Sequence, residues 1–219
     1  MTVFLSPEKS QIIQNRLNNS YLNTLVKWVN INDQLLVTGC NGYLKQNEKF
    51  CYLLECLGPV ILNIKPAELL NIGHNKNPGG WEEFKKLLIM RPDIGLLEIR
   101  EINKRKQILF FNRNVLNERL ANLYNNNFLI KINYPRSATL EKCLEHLVQK
   151  IRSIDFPHEI GLFLGYPLKD VLGFMGLASL PYIKTQGWKV YGNEKLSDQW
   201  YERYQSARKL MQEKIGIGS

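Results

Sequence analysis

The stretch IGLLEIREINKRKQILFFN, Ile94–Asn112, carries the clearest structural signal in the chain. Two strand-like apolar runs flank the polar residues NKRK, and this order predicts a β-hairpin. The basic cluster KRK at 104–106 then lies at a solvated hairpin tip, which accounts for it more simply than a nucleic-acid contact does. The stretch therefore predicts at least one small sheet.

On both sides of this hairpin, apolar residues recur at three- and four-residue spacing, which predicts helices. The segment GWKVYG at 187–192 predicts a further short strand. The predicted helices are NVLNERLANLY at 114–124, ATLEKCLEHLVQKI at 138–151, Ser197–Lys214, and the segment 45–57, which ends at Gly58-Pro59. Together the elements predict an α+β (or α/β) fold, with a small mixed or antiparallel sheet flanked by helices in a single compact domain.

The length of 219 residues and the hydrophobic content of 44% suffice for one sizeable core. We expect the main domain at 45–219, with an N-terminal helix and strand at 1–44 that is part of this core or appended to it. Apolar runs such as Ile94–Leu97 are far shorter than a membrane span, and the first residues lack the regions of a secretory signal. We therefore expect a cytoplasmic protein with no membrane partner.

The charge of the chain is strongly positive, because 29 lysines and arginines face 20 acidic residues and give a net charge of +9. Such a charge favours an acidic partner, which can be a nucleic acid, an anionic surface or an acidic protein. The basic residues are spread along the chain rather than gathered on one segment. Sequence-specific binding to nucleic acid is therefore not expected.

Cysteine spacing suggests thiols rather than disulfides, because Cys40, Cys51, Cys56 and Cys143 form no C-x-x-C motif. Cys56 is the strongest candidate nucleophile, since it stands at a junction just before Gly58-Pro59. Backbone N–H groups exposed at the start of a new element lower a thiol pKa and can hold an oxyanion. The alternative is that Cys56 only continues an apolar helix face.

A second candidate stretch is FPHEIGLFLGYPLKDV, Phe156–Val171, which places a histidine beside a glutamate. His158 and Asp170 follow Cys56 in the chain order of papain-like thiol enzymes. In those enzymes the imidazole takes the thiol proton and a carboxylate or amide orients the ring. Glu159 and Asp155 are alternative orienting groups. The order predicts a Cys-His-Asp catalytic triad.

The same stretch also has the outline of a helix-turn-helix. Its second helix would be LKDVLGFMG, which offers one lysine and no Arg, Asn or Gln to read base edges, so its composition favours burial. If the first element is a helix, Gly161 and Gly165 share one face and permit close packing. A strand in place of that helix is the alternative.

Other candidate sites depend on fewer residues. Cys143 and His146 lie on one helix face and can bind a metal, but no second pair accompanies them, so core packing is favoured. Lys65 and Arg113 can bind an anionic group, although each can equally be surface charge. With Tyr166 they form the predicted substrate-binding set. No cofactor is expected.

The motifs FPHEIGLFLGYP at 156–167 and GWKVYG at 187–192, with DV.GF between them, resemble the hallmark of a clostridial family described as a domain of unknown function. The resemblance extends roughly from Lys45 to Tyr204. Members carry a Cys-Ala-Pro stretch ending in Ile-Lys and a Tyr-Arg after a strand. Here the matching residues are Cys56, Pro59, Ile64, Lys65 and Asn112-Arg113.

The chain departs from that family pattern in two places. Members commonly have a cysteine pair just before Trp-Lys-Val-Tyr-Gly, where this chain has Lys184 and Gly187, and one extra residue lies between Cys56 and Pro59. A metal or redox role that depends on the missing pair is therefore not expected. The resemblance implies no established activity, so the step to a reaction is an inference from the residues.

We interpret the sequence as that of a papain-like enzyme in which Cys56 is the nucleophile, His158 the general base and acid, and Asp170 the orienting group. It would transfer an acyl group from a thioester to an amine, with an acidic acyl- or peptidyl-carrier protein or a small acyl substrate as partner, or act as a related hydrolase. One alternative is a non-enzymatic protein that binds a small ligand, a metal or a tetrapyrrole near His158 and Cys56. Another is a DNA-binding regulator.

Overall fold

The structure is a computed structural model, and it describes residues 48–73, 84–85, 88, 91–136, 139–153 and 156–215. The chain divides into two units, Met1–Asn47 and Glu48–Ser219. The predicted N-terminal helix and strand at 1–44 and the alternative orienting group Asp155 lie outside the described residues. All of the described residues belong to the second unit.

The described part of this unit contains seven helices and five strands. The helices predicted at 114–124, 138–151 and 197–214 are confirmed to within a few residues, as are the two strands of the predicted hairpin and the strand predicted at 187–192. In chain order the elements are α1 Glu48–Ile61, β1 Ala67–Gly73, β2 Ile94–Ile102, β3 Arg105–Asn112, α2 Arg113–Asn125, α3 Phe128–Lys131, α4 Leu140–Arg152, α5 Ile160–Phe163, α6 Leu168–Phe174, β4 Tyr182–Gln186, β5 Trp188–Tyr191 and α7 Lys195–Lys214.

Both sheets are antiparallel, so the predicted α+β class is confirmed. Three strands form the larger sheet in the order β1-β3-β2, and β4 pairs with β5 in a separate hairpin. The β2–β3 hairpin turns at Asn103 and Lys104, whose φ values of 50° and 60° suit a tight two-residue turn. Within the described residues, no helix is both long and apolar enough to cross a membrane.

The core lies between the larger sheet and the apolar faces of α2 and α4. β3 occupies the centre of its sheet, and its residues from Gln107 to Asn112 are all buried. Leucines at 116, 120 and 123 line the inner face of α2, and α4 buries residues at the spacing that predicted it as a helix. These periodic faces form one core cluster with α5 and Val171 of α6.

Helix α1 corrects one sequence prediction, because it does not end at Gly58-Pro59 but continues to Ile61. Gly58 is a contact point between helices: a Cβ atom there would lie 2.8 Å from Met211 Cβ and 3.2 Å from the Ala207 carbonyl oxygen of α7. The glycine therefore lets α1 and α7 approach closely. Cys56 consequently lies inside a helix, not at the start of a new element.

The turn between α5 and α6 corrects a second prediction. Gly165 lies beyond the helix at φ +82°, where the Gly165 N–H bonds the Leu162 carbonyl and the Tyr166 N–H bonds the Gly161 carbonyl. This pairing is a Schellman cap, which needs a residue of positive φ, so Gly165 ends the helix instead of sharing a helix face with Gly161. Because α5 is a single turn and Asp170 and Val171 of α6 are buried, the segment is a poor helix-turn-helix.

Candidate functional site

Asp170 is the most heavily hydrogen-bonded side chain of the family-like motifs. Its buried carboxylate accepts bonds from the Trp188 indole N–H at 2.8 Å, the Ser197 hydroxyl at 2.7 Å and the Tyr191 backbone N–H at 2.9 Å. The Lys169 ammonium group lies 2.6 Å from the same carboxylate. Asp170 and the GWKVYG motif are thus joined by a hydrogen-bond network, which connects α6 with β5 and α7.

Lys169 completes this network from the other side. Its ammonium group also donates to the Tyr191 carbonyl at 2.8 Å and to the Ser197 hydroxyl at 2.7 Å. Hydrogen bonds between charged groups are stronger than those between neutral groups. Because the carboxylate is buried, the loss of any of its donors would lower the stability of the fold strongly. Asp170 therefore acts as a structural anchor, and the predicted role of orienting His158 finds no support in these contacts.

His158 lies on the surface, where its ring makes an edge contact with Phe174 at a centroid distance of 4.8 Å. Among the described residues it forms no hydrogen bond with Cys56 or Asp170. The neighbouring Glu159, which is the alternative orienting group, is buried and paired with Lys150. The structure thus does not join Cys56, His158 and Asp170 through hydrogen bonds.

Cys56 is buried in α1, and burial raises the pKa of its thiol. A hydrogen bond with the Tyr52 hydroxyl and the charge of Arg208 oppose this rise, but burial has the larger effect. A nucleophilic cysteine needs the opposite balance, because the thiolate is the reactive form. The electrostatic influence of Glu68 and Arg208 nevertheless places Cys56 close to a group of charged side chains around Lys65.

A buried lysine organises the strongest candidate binding site, which we call the Lys65 cluster and which comprises Lys65, Glu68, Tyr166, Tyr204 and Arg208. The Lys65 ammonium group is 5.5 Å from the Tyr166 ring centroid and 5.3 Å from that of Tyr204. It forms an ion pair with Glu68 at 2.6 Å, and Arg208 lies 3.9 Å from the same Glu68 oxygen. Two cations therefore share one carboxylate next to two aromatic rings.

Packing and hydrogen bonding hold the two tyrosines of the Lys65 cluster in place. The Tyr166 ring stacks on Trp188 at 4.7 Å with an interplanar angle of 20°, and the Tyr204 hydroxyl donates to the Gly165 carbonyl at 2.7 Å. Burial, reinforced by Glu68 and opposed by Arg208, raises the pKa of Tyr166 to about 12. The cluster thus presents neutral phenols and cations, which together suit an anion that also carries an apolar ring.

A third cation, Arg119, borders the Lys65 cluster. Its guanidinium donates to the Tyr166 carbonyl at 2.7 Å and lies 5.2 Å from the Trp200 ring centroid. The Arg119 Nε atom is buried without a hydrogen-bond partner among the described residues. Burial lowers the pKa of Arg119, because an uncompensated buried charge is unfavourable.

Arg113 is the predicted substrate-binding residue that the structure places elsewhere. It is the first residue of α2, and its side chain lies over the Phe111 ring and 3.8 Å from Glu141. None of the contacts among the described residues connects it with Lys65 or Tyr166. Its neighbour Asn112 has the structural role, because its side-chain oxygen accepts the first backbone N–H groups of α2.

The predicted pair Cys143 and His146 faces the core. The Cys143 sulfur lies 3.2 Å from the Tyr124 hydroxyl, and the His146 ring makes an edge contact with Tyr134 at 4.6 Å. In the part of the chain that the structure describes, no three His, Cys, Asp or Glu side chains are grouped as metal ligands. The contacts of this pair are those of core packing.

Sequence reasoning identified Lys65, Tyr166 and the nearby Cys56, but it missed the remainder of the cluster. Two signals were available. Glu68 follows Lys65 by three residues, and Tyr204 and Arg208 are four residues apart on a predicted helix, so they share a face. Neither signal reveals that the two segments meet, because this depends on the packing of α7 against the chain after α1.

Comparison with models of known protein families identifies the family of this chain. The model of a family described as a protein of unknown function (DUF3793) matches residues 53–219. The chain belongs to this family. All members of the Lys65 cluster and of the Asp170 network lie inside the matched DUF3793 region. No curated protein and no solved structure matches the chain. The resemblance to an uncharacterised domain family is thus confirmed, whereas the papain-like interpretation and the proposed family motifs stay predictions.

Proposed function

We propose that this DUF3793 protein is a non-enzymatic binding protein for a small anion that carries an apolar ring, held at the Lys65 cluster. The observation that carries the proposal is the position of the Lys65 ammonium group, which lies 5.5 Å and 5.3 Å from the centroids of two tyrosine rings while the residue is only 6% exposed. A buried ion pair is a poor source of stability, and apolar residues of similar volume often stabilise a fold better. A charge kept in such a place therefore favours a binding role.

The charges of the cluster specify the sign of the ligand. Lys65 and Arg208 share the single carboxylate of Glu68, and the Arg119 guanidinium has a buried Nε atom with no partner within the described residues. The local balance is therefore positive, which favours a carboxylate or a phosphate group. The Tyr166 and Tyr204 rings provide the apolar contacts. This proposal corresponds to the ligand-binding alternative from the sequence and moves the proposed site from His158 and Cys56 to Lys65.

Acyl transfer through Cys56, His158 and Asp170 stays a separate proposal, together with its carrier-protein or acyl-substrate partner. The charges of Glu68 and Arg208 act on Cys56, which favours acyl transfer, since an acyl group bound at the Lys65 cluster would lie in the region of the thiol. The raised pKa of the thiol and the engagement of Asp170 weigh against it. The rate at which iodoacetamide alkylates Cys56 in the folded chain separates the two proposals, because only acyl transfer needs an activated thiol.

The binding proposal is tested by thermal unfolding with phenyl phosphate, benzoate, inorganic phosphate and the uncharged benzyl alcohol. A ligand that binds only the folded state stabilises it by RT ln(1 + L/Kd), where L is the free ligand concentration, so at equal concentration a tighter ligand raises the melting temperature more. We expect the ring-bearing anions to raise it more than phosphate or benzyl alcohol does. Lys65→Met should abolish this rise in melting temperature, and the methionine side chain should preserve the packing of the lysine methylene groups. Lys184→Met is the control: it removes a lysine from a partly exposed ion pair and should leave the rise unchanged. A shift that survives Lys65→Met would refute the proposal.

A further inference from the structure

A second surface of the molecule is apolar and exposed. It consists of Phe174 (41% exposed), Leu177 (58%), Tyr182 (54%) and Ile183 (43%), which lie close together in the chain. Single exposed apolar residues are common on protein surfaces, but a contiguous patch of large ones marks an interaction site. We call these four residues the Phe174 surface.

The Phe174 surface is held in place by defined backbone contacts. The Gly176 and Leu177 N–H groups bond the Gly173 and Leu172 carbonyls and so cap α6, and Gly176 has a φ of +70°. The Gly192 N–H bonds the Pro181 carbonyl at 2.8 Å. An ordered backbone that nevertheless exposes its apolar side chains is pre-organised for a partner.

Ring contacts make this surface continuous. A Cβ atom on Gly173, next to Phe174, would meet the Tyr191 ring at 2.4 Å, so that ring lies directly against the α6 backbone. Tyr191 in turn makes an edge contact with Tyr182 at 5.9 Å. Phe174 and Tyr182 are therefore linked through Tyr191 and belong to one surface. Leu177 and Ile183 are the exposed apolar residues nearest to them in the chain.

The groups around Phe174 define the charge of the partner. The Lys189 ammonium group lies 5.0 Å from the centroid of the Phe174 ring, and the His158 ring contacts the same residue. The acidic side chains that approach β4, Glu194 and Asp198, are both paired with Lys184 at 2.9 Å. A second copy of a chain with a net charge of +9 would bring like charges together. The charge balance therefore favours an acidic partner over a second copy of this chain.

We propose that the Phe174 surface is the docking site for an acidic amphipathic helix of another protein. The apolar face of that helix would cover Phe174, Leu177 and Tyr182, and its acidic flank would face Lys189. Helices of this kind bind apolar surfaces through side chains spaced three and four residues apart. The surface shares no residue with the Lys65 cluster, so the proposal does not depend on the ligand-binding function.

The test uses the full chain and two labelled synthetic helical peptides with the same leucine face, one with a glutamate flank and one with a lysine flank. Fluorescence anisotropy should show that the glutamate peptide binds at least about tenfold more tightly, since complementary charge decides between them. Lys189→Glu should reverse this preference, and Phe174→Ala with Leu177→Ser should weaken binding of the glutamate peptide by about tenfold or more. Equal binding of both peptides, or no binding, would overturn the proposal.

Control variants and competitors test whether the Phe174 surface itself binds the peptide. Ile102→Ser removes a residue of similar exposure, 41%, on the β2–β3 hairpin and should leave peptide binding unchanged. Lys65→Met should also leave it unchanged, which separates this proposal from the ligand site. Binding to phosphatidylserine vesicles that competes with the peptide would assign the surface to membranes, and self-association lost in the Phe174→Ala, Leu177→Ser variant would assign it to a second copy. Either result would contradict the proposal.

Discussion

At Asp170, two carboxylate oxygens receive donors from Lys169, Trp188, Tyr191 and Ser197. These residues belong to three different elements, so one buried side chain determines how α6, β5 and α7 meet. Burial of a carboxylate is tolerated only when its hydrogen-bonding capacity is filled, as it is here. The residue identity matters at this position because an amide of the same shape offers one acceptor oxygen and two donor hydrogens.

We therefore predict that Asp170→Asn lowers the free energy of unfolding by about 2–4 kcal/mol. The substitution removes the buried negative charge, and the amide NH₂ group of asparagine would lie against the groups that donate hydrogen bonds to Asp170. Urea-induced unfolding followed by circular dichroism measures the change. Asp198→Asn is the matched control, since it makes the same substitution in a surface pair with Lys184 and should have a much smaller effect. Equal stability of the Asp170 variant and the wild type would show that the network is not an anchor.

Cys56 gives a prediction about reactivity. Because burial raises the pKa of the thiol, the thiolate is scarce at neutral pH. Iodoacetamide should therefore alkylate Cys56 more slowly in the folded chain than in urea, because the unfolded chain exposes the thiol and removes the burial that raises its pKa. Peptide mapping by mass spectrometry measures both rates. Alkylation that is faster in the folded chain would instead support the acyl-transfer proposal.

At the scale of elements, the contact between α1 and α7 depends on Gly58. Gly58→Ala would place a methyl group 2.8 Å from Met211 Cβ, which is too close for both helices to keep their positions. We expect it to lower the free energy of unfolding by about 1–3 kcal/mol through overpacking. Gly73→Ala is the control, because its Cβ meets only Arg105 Cγ at 3.9 Å, an ordinary contact. Thermal unfolding of the two variants should show a larger loss for Gly58→Ala, and equal losses would refute the contact.

His146 in helix α4 should make the stability of the fold depend on pH. Burial, and then the charge of Lys150, lowers the pKa of His146 below its usual value of 6.5, while Glu159 opposes the shift. The unfolded chain then takes up the proton more readily than the folded one. The contribution to stability is therefore complete above about pH 6.5 and is lost as the pH falls through the lowered folded pKa.

Chemical unfolding of the wild type and His146→Gln between about pH 5 and 8 measures this contribution. We expect the wild type to lose more stability on acidification than His146→Gln, whose side chain does not titrate. Other acidic and basic groups affect both proteins alike, so the difference between the two curves isolates the histidine. A difference that does not vary with pH would show that His146 does not contribute to the acid sensitivity.

For the whole molecule, the net charge of +9 predicts weak and salt-dependent binding to duplex DNA. Several of the basic side chains are engaged in ion pairs, and α6 is a short helix with buried residues. We expect a dissociation constant weaker than about 1 μM at physiological salt, with no preference among sequences. Fluorescence anisotropy with unrelated labelled duplexes at low and physiological salt tests this. Tight binding to one sequence would restore the helix-turn-helix interpretation.

Much of the secondary structure follows from local patterns in the sequence. The spacing of apolar residues predicts α2, α4 and α7, and alternation around NKRK predicts the β2–β3 hairpin, because each pattern repeats the period of its own element. The stretch before α6 was harder to predict. Gly161 and Gly165 have helical spacing, yet Gly165 adopts a positive φ and ends α5, a choice that also places Pro66 and Tyr204 against its backbone.

The sequence by itself determined the fold class, the main helices and the hairpin, and it drew attention to Cys56, Lys65, Tyr166, His158 and Asp170. Only the tertiary structure decided what surrounds these residues. Asp170 meets Trp188 and Ser197, Lys65 meets Tyr204, and Cys56 lies near Arg208, although each pair is distant in sequence. The physical reason is that charge balance and burial depend on the sum of all neighbours in space, whereas periodicity records only neighbours along the chain.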